Sequence, residues 1–339
     1  MEAIFNLLNN SSSEEAFREA YRSETPNPSL RYCGSMEKTS IVALNGGLGN
    51  QLFQWFYAHA LSKNGLFRID PLFEEVEGPH GVSGLELEQL FARCLHVDRD
   101  SKLEVFEVPY RKVLHLANHM WAFKIFRPYL SVCGYYRENP NSEVAQSLRI
   151  PKPIKYAYGY FQNAQLMKQA EEAIEVELLP IIQANLKVIK SRFGLEAPYT
   201  VVHVRRYPTA GYKLTRIQFC NLSSTYFVDW ATKNSGQRLI LLTEFKDQVT
   251  DVINLLNPDL VLDSSQTSAW DVLTIMAGAD KCLGSNSSLS WWGVMLCSGF
   301  GGQVWLPSNW SYWDNVNTKA FHFEGCNIAP SDWDPSGYD

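Results

Sequence analysis

The sequence contains no apolar run of the roughly 18 residues that a membrane-spanning helix needs. Its start, MEAIFNLLNNSSSEEAF, is acidic and short of apolar residues, unlike a secretory signal. No CxxC pair occurs, and the seven cysteines, at 33, 94, 133, 220, 282, 297 and 326, are dispersed and odd in number. That pattern fits reduced thiols better than a disulfide frame or a zinc site. Basic residues are not in excess: 30 Lys and Arg stand against 36 Asp and Glu, a net charge of −6. Sequence-independent binding to nucleic acid is therefore not expected. Also missing are a Gly-Lys-Ser/Thr phosphate loop, two carboxylates at glycosidase-like placement and, in the loops expected to face the cleft, a Ser-His-Asp order or a DxD-type metal pair. These absences point to a cytoplasmic protein with no metal and no nucleic-acid partner, in which sequons such as Asn286–Ser288 and Asn309–Ser311 carry no meaning.

What is present is globular. Of 339 residues, 45% are hydrophobic and 19% charged, enough for one large domain or two of ordinary size. Ten tryptophans and sixteen tyrosines offer flat faces that suit sugar rings and fill cores equally well.

Residues 1–38 read as a polar extension, with a capped helix start at Ser13 to Glu15 broken by TPNPSL. From Ser40 the pattern is strand (IVAL), glycine turn (NGGLGNQ) and helix (LFQWFYAHAL), with Leu52, Phe53, Phe56, Tyr57 and Ala60 on one stripe. Strands near 66–72, 103–108 and 130–136 and helices near 84–95 and 112–126 follow. A long helical stretch over 163–193 contains Pro180 as a kink or break. Strands at 199–205, 238–244, 260–262, 281–284 and 303–306 then alternate with helices. That alternation predicts parallel βαβ units in two Rossmann-like halves facing a cleft, divided as 39–160 and 161–325, with 326–339 a tail. Ligands in such sheets sit at the carboxyl ends of the strands.

Three places there have residues that could bind an anion or nucleotide. In Asn45-Gly46-Gly47-Leu48-Gly49-Asn50-Gln51 the glycines let a ligand approach the backbone at a helix N-terminus, or simply make a tight turn. His203-Val204-Arg205-Arg206 ends a strand, with His203 and Arg205 on one face and Arg206 on the other. Guanidinium groups match phosphate oxygens, and an ion pair with a buried histidine is the plainer reading. Ser285-Asn286-Ser287-Ser288-Leu289-Ser290 opens a helix, as an anion cradle or as an N-cap. Asp271, at the head of the preceding helix, complements the helix dipole or accepts hydrogen bonds from guanine.

Together GGLGNQLFQWFYAHAL (46–61), GYFQ (159–162), HVRR (203–206) and DVLTIMAGADKCLGSNSSLSWWGVML (271–296) resemble glycosyltransferase family 11, the α-1,2-fucosyltransferases of bacterial type, over roughly residues 39–310. The resemblance implies a GT-B fold and inverting, metal-independent transfer of L-fucose from GDP-β-L-fucose to the 2-hydroxyl of a terminal galactose in an oligosaccharide or glycolipid. It implies Arg205 and His203 as catalytic residues, and Arg206, Asp271, Ser285, Asn286, Ser287, Ser288 and Ser290 around the donor. Gly47, Gly49, Asn50, Gln51, Phe161 and Gln162 would lie on the acceptor side of the cleft. GDP-fucose and a galactose-terminated glycan are the implied partners, GDP-fucose being a substrate and no cofactor being needed. Peripheral association with the inner face of the membrane stays open. The family continues HxRR with Gly-Asp, whereas this chain reads Tyr207-Pro208-Thr209. That departure suggests a GDP- or glycan-binding protein with weak or lost transfer as one alternative, and the same fold with another GDP-sugar as donor is a second.

Overall fold

The structure is a computed structural model that describes residues 40–61, 67–71, 87, 135–137, 156–207, 221–234, 236–310 and 318–334. The readings for residues 1–38, 84–95, 103–108 and 112–126, and for Pro208 and Thr209, lie outside the described residues. By contacts the chain divides into Met1–Glu37 and Lys38–Asp339, and both sheets belong to the second unit.

The first sheet contains β1 (Ser40–Leu44), β2 (Phe67–Pro71), β3 (Tyr135–Arg137) and β4 (Tyr156–Tyr158) in the order β2-β1-β4-β3, every pair parallel. Helix α1 (Leu48–Leu61) follows β1 directly. The expected single stripe on this helix understates its burial. Leu48, Gly49 and every residue from Gln51 to Ala58 are buried, because other elements cover it on several sides.

The crossover to the second half is helical in pieces. α2 (Ala164–Gln169) is followed by a short turn at Glu171–Ala173, a π-helical stretch at Ile174–Leu178 and α3 (Leu179–Phe193). Pro180 stands at the start of α3, where its missing N–H costs least, and the change of helical register falls just before it. Gly194, at φ 62°, ends α3 in a left-handed cap.

The second sheet is built from β5 (Tyr199–Val204), β6 (Arg238–Thr243), β7 (Leu260–Leu262), β8 (Lys281–Leu283), β9 (Gln303–Pro307) and β10 (Asn327–Ala329). Its spatial order is β10-β9-β8-β5-β6-β7, all parallel. Counted within this half, the order is 3-2-1-4-5-6 read from the other edge, the order of dinucleotide-binding Rossmann sheets. Helices α4 (Ser224–Asn234), α5 (Thr250–Leu256), α6 (Ala269–Ala277) and α7 (Ser288–Gly299) connect the strands. The chain is thus an α/β protein with two Rossmann-like parallel sheets, the arrangement that the GT-B class names.

Strand alternation sorts the core. Tyr199 and Val201 of β5 join one apolar cluster with α1, α3, α6 and α7, whereas Val202 and Val204 join another with α4 and α5. The first cluster runs through both halves, because α7 packs on α1. Phe53 lies 4.7 Å from Trp291 and 5.1 Å from Trp292, ring centre to ring centre. The indole N–H of Trp292 donates to the Gly49 carbonyl at 3.1 Å. A Cβ on Gly49 would come within 2.4 Å of the Leu289 nitrogen and 2.6 Å of the Ser288 carbonyl carbon. Backbone thus packs on backbone, and no side chain fits between.

Gly49→Ala is therefore expected to lower stability by about 1–3 kcal/mol, the usual cost of forced overpacking. A urea midpoint measurement checks this, and an unchanged midpoint would show that the two helix starts are not in close contact.

Candidate functional site

In a doubly wound sheet the crevice opens where neighbouring strands send their connections to opposite faces. In the second half that point lies between β5 and β8, and in the first between β1 and β4. The four carboxyl ends carry His203–Arg205, Gly284–Asn286, Asn45–Gly47 and Gly159–Gln162. These are the segments singled out in the sequence.

At β5 and β8 the backbone is tightly joined. Ser285, fully buried, donates its hydroxyl to the His203 carbonyl at 2.7 Å and accepts the Arg205 N–H at 2.9 Å. Ser290, also fully buried, accepts the Ser285 N–H at 3.1 Å and meets His203 Nδ1 at 2.5 Å. Burial, with the neighbouring Arg205 charge second, lowers the His203 pKa from 6.5 to about 3. At neutral pH the ring is uncharged, a hydrogen-bonding strut and not a cation. Ser285 and Ser290 hold the loop together, which leaves the more exposed Ser287 and Ser288 at the mouth of α7. Ser287 is the N-cap of α7, and its hydroxyl makes no capping bond to that helix. The buried Asn286 donates its amide to the Trp310 carbonyl at 3.5 Å.

The two arginines part as alternation requires. Arg206 turns toward α4 and α5, where Nη2 donates to Asp251 at 3.0 Å and Ser224 at 3.2 Å and Nη1 to Asp334 at 2.5 Å. Its guanidinium, expected on the donor, is engaged by protein carboxylates. Arg205 pairs with Glu244 beyond the end of β6 and lies 5.2 Å from the centre of the Tyr207 ring. Asp271 closes a capping box on α6: Ser268 Oγ accepts the Asp271 N–H at 3.1 Å, and Asp271 accepts the Ser268 N–H at 2.9 Å. It also pairs with Arg192 of α3 at 3.3 Å. The cap reading describes this residue, and guanine contact is not needed to explain it.

On the β1–β4 side the glycine turn is tied by glutamines. Gln54, fully buried, accepts the Asn45 N–H at 2.9 Å and donates to the Asn45 side chain at 2.7 Å and to the Gly159 carbonyl at 2.8 Å. Gln51, also buried, donates to the Gly46 carbonyl at 2.7 Å. Gln162 donates to the Asn50 side-chain oxygen Oδ1 at 2.7 Å, joining the two loops. Gly47 is exposed, and its carbonyl starts α1 by accepting from Asn50 and Gln51. Phe161 is buried, stacked on Tyr57 with ring centres 3.7 Å apart, and has φ 54°. A phenylalanine in the left-handed region costs about 1–2 kcal/mol, and such strain gathers at functional loops.

Glu244, Gln54 and Asn221 were not singled out from the sequence, and Tyr207 stood out only as a departure from the motif. Glu244 had a signal, since it directly follows the apolar run RLILLT at the carboxyl edge of the sheet. It also lines an open depression of about 630 Å³ with Phe245, Lys246, Asp263 and Ser264 beyond β6 and β7. The side-chain amides of the sequon residues Asn221, Asn286 and Asn309 donate to the carbonyls of Tyr207, Trp310 and Ser331, so each is engaged within the fold.

No protein-family model matches the chain, and no curated protein matches it. Among solved structures it is similar to a glycosyl transferase family 9 protein from Veillonella parvula, at 10% identity and a TM-score of 0.40, covering 86% of this chain and 85% of that one. It is similar to the ADP-heptose lps heptosyltransferase II of E. coli, at 11% identity and 0.43, covering 86% and 89%. It is also similar to POFUT1 in complex with GDP, at 13% identity and 0.40, covering 77% and 95%. The fold rests on the strand order itself.

Because the folded pKa of His203 is depressed, the unfolded chain takes up a proton there first as pH falls. Stability is unaffected by this group above about pH 6.5 and is lost as pH falls toward 3. The slope is expected to reach about 1.4 kcal/mol per pH unit. Urea midpoints at pH 7, 6, 5 and 4 are expected to fall more steeply for the wild type than for His203→Gln. Parallel curves would show that His203 is not buried uncharged.

Proposed function

We propose that this protein is a glycosyltransferase that moves L-fucose from GDP-β-L-fucose to the 2-hydroxyl of a terminal galactose, forming an α-1,2 linkage. One observation carries the reading. The arginine-tipped end of β5 and the serine mouth of α7 are neighbours at a Rossmann switch point, joined by the Arg205 N–H on Ser285. A diphosphate there meets a guanidinium on one side and the positive end of a helix on the other. The nucleoside extends over the depression beyond β6 and β7, whose volume suits a ligand of that size. The choice of fucose and galactose comes from the motif resemblance.

Chemically the step is a displacement in which the bond from the sugar C1 to the phosphate oxygen breaks early. Negative charge then grows on the leaving GDP, where Arg205 is best placed to stabilise it. The acceptor hydroxyl attacks the opposite face of the oxocarbenium-like sugar and its proton departs, inverting the centre. His203, uncharged, holds the loop through Ser290 and leaves Arg205 as the nearby cation. Asn50 and Gln162, on the β1–β4 edge, would face the sugar and acceptor.

The second reading, nucleotide binding with weak or lost transfer, is favoured by the Glu244 carboxylate on Arg205 and by Tyr207 where the motif family has glycine. A panel of GDP-sugars against galactose-terminated oligosaccharides separates the readings: GDP binding without product on any acceptor supports the second. With GDP-fucose, Arg205→Ala is expected to lower kcat by about 10²–10³-fold, as for other lost electrostatic donors. Turnover is expected to persist in EDTA. Near-normal kcat in Arg205→Ala, or strict dependence on a divalent metal, would contradict the mechanism.

A further inference from the structure

Tyr207 is the first residue after the two arginines, and it is held from several directions. Its N–H donates to the Asn221 side-chain oxygen at 2.7 Å, and its carbonyl accepts from the same amide at 3.3 Å. Its phenol donates to the Asn286 carbonyl at 3.2 Å, across to the turn that opens α7. Asn221 is fixed in turn by the chain end: its carbonyl accepts the Asp334 N–H at 2.8 Å, and the adjacent Leu222 forms an antiparallel bridge to Trp333. The Tyr207 ring is thus set by two loops and a C-terminal strap. The Arg205 guanidinium lies over that ring, 5.2 Å from its centre.

We propose that Tyr207 is a positioning residue that holds the Arg205 guanidinium at the β5–β8 crevice for the diphosphate, through its ring face and its tether to Asn286. The inference rests on the reading of Arg205 as the diphosphate-binding group. An arginine on a strand end has several rotatable bonds, and holding them in the bound form removes an entropic cost from binding. A guanidinium over an aromatic face is held by the ring and can still turn its edge donors toward planar oxygens. Glu244 sets one side of the guanidinium and Tyr207 the other. The carboxylate competes with a diphosphate for the same charge. The ring does not, so it can stay in place throughout turnover.

The test is a double-mutant cycle on the full chain, read by GDP calorimetry and by steady-state kinetics with GDP-fucose. Thermal melts confirm folding first. Tyr207→Leu is expected to weaken GDP binding about 10-fold, the scale of a partly desolvated cation–π contact. Tyr207→Phe keeps the ring and loses only the tether, so it is expected to recover most of that loss. In an Arg205→Ala background Tyr207→Leu is expected to cost nothing more, because the two residues act as a unit. If Tyr207→Leu does not fold, Tyr207→Met takes its place. Wild-type binding of Tyr207→Leu, or a loss that adds in full to that of Arg205→Ala, overturns the positioning role and leaves the transferase reading standing. A wild-type protein that binds no GDP removes both.

Discussion

The contact between the Gly49 backbone and the first turn of α7 is the constraint on which the rest depends. Because no Cβ intervenes, α1 and α7 start side by side, and the Trp292 indole fixes them by donating to Gly49. Both helix starts follow strands at switch points, so the two crevices are brought to a common place. Adjacent helix N-termini put two partial positive charges together. An anion is the natural complement of such a pair.

Around that contact each residue's role follows from its strand face. Odd-numbered positions of β5 point toward α7 and α1, so His203 reaches Ser290, while Arg205, just past the strand, meets Glu244 and the Tyr207 ring. The next even position, Arg206, points toward α4 and α5 and meets Asp251 and Asp334. The two arginines therefore part, Arg206 joining α4, α5 and the C-terminal strap, which is tied into the same strand end. The strain at Phe161 belongs to this pattern, since it turns the loop after β4 so that Gln162 can hold Asn50.

Much of this was legible in the sequence where the signal is local. The run IVAL followed by NGGLGNQ fixed a strand, turn and helix, and the spacing of His203, Arg205 and Arg206 assigned their faces. By itself Asp271 reads only as a dipole complement or a guanine contact, and its capping box with Ser268 comes from the structure. What was not legible depends on pairs far apart in the chain. Gln54 reaches Gly159, Arg205 reaches Glu244, and Tyr207 reaches both Asn221 and Asn286. Ser290 looked like one more hydroxyl at a helix mouth. Its place in the first turn faces it inward, onto His203, a direction that only the packing of α7 decides. The π-helical stretch before α3 likewise has no marker beyond Pro180.

The most direct measurement is a crystal structure of the protein with GDP. The account predicts diphosphate oxygens within about 2.7–3.2 Å of the Arg205 guanidinium, beside the Ser287–Leu289 turn. A nucleotide seated at another edge of either sheet, with Arg205 held only by Glu244 and Tyr207, would contradict it.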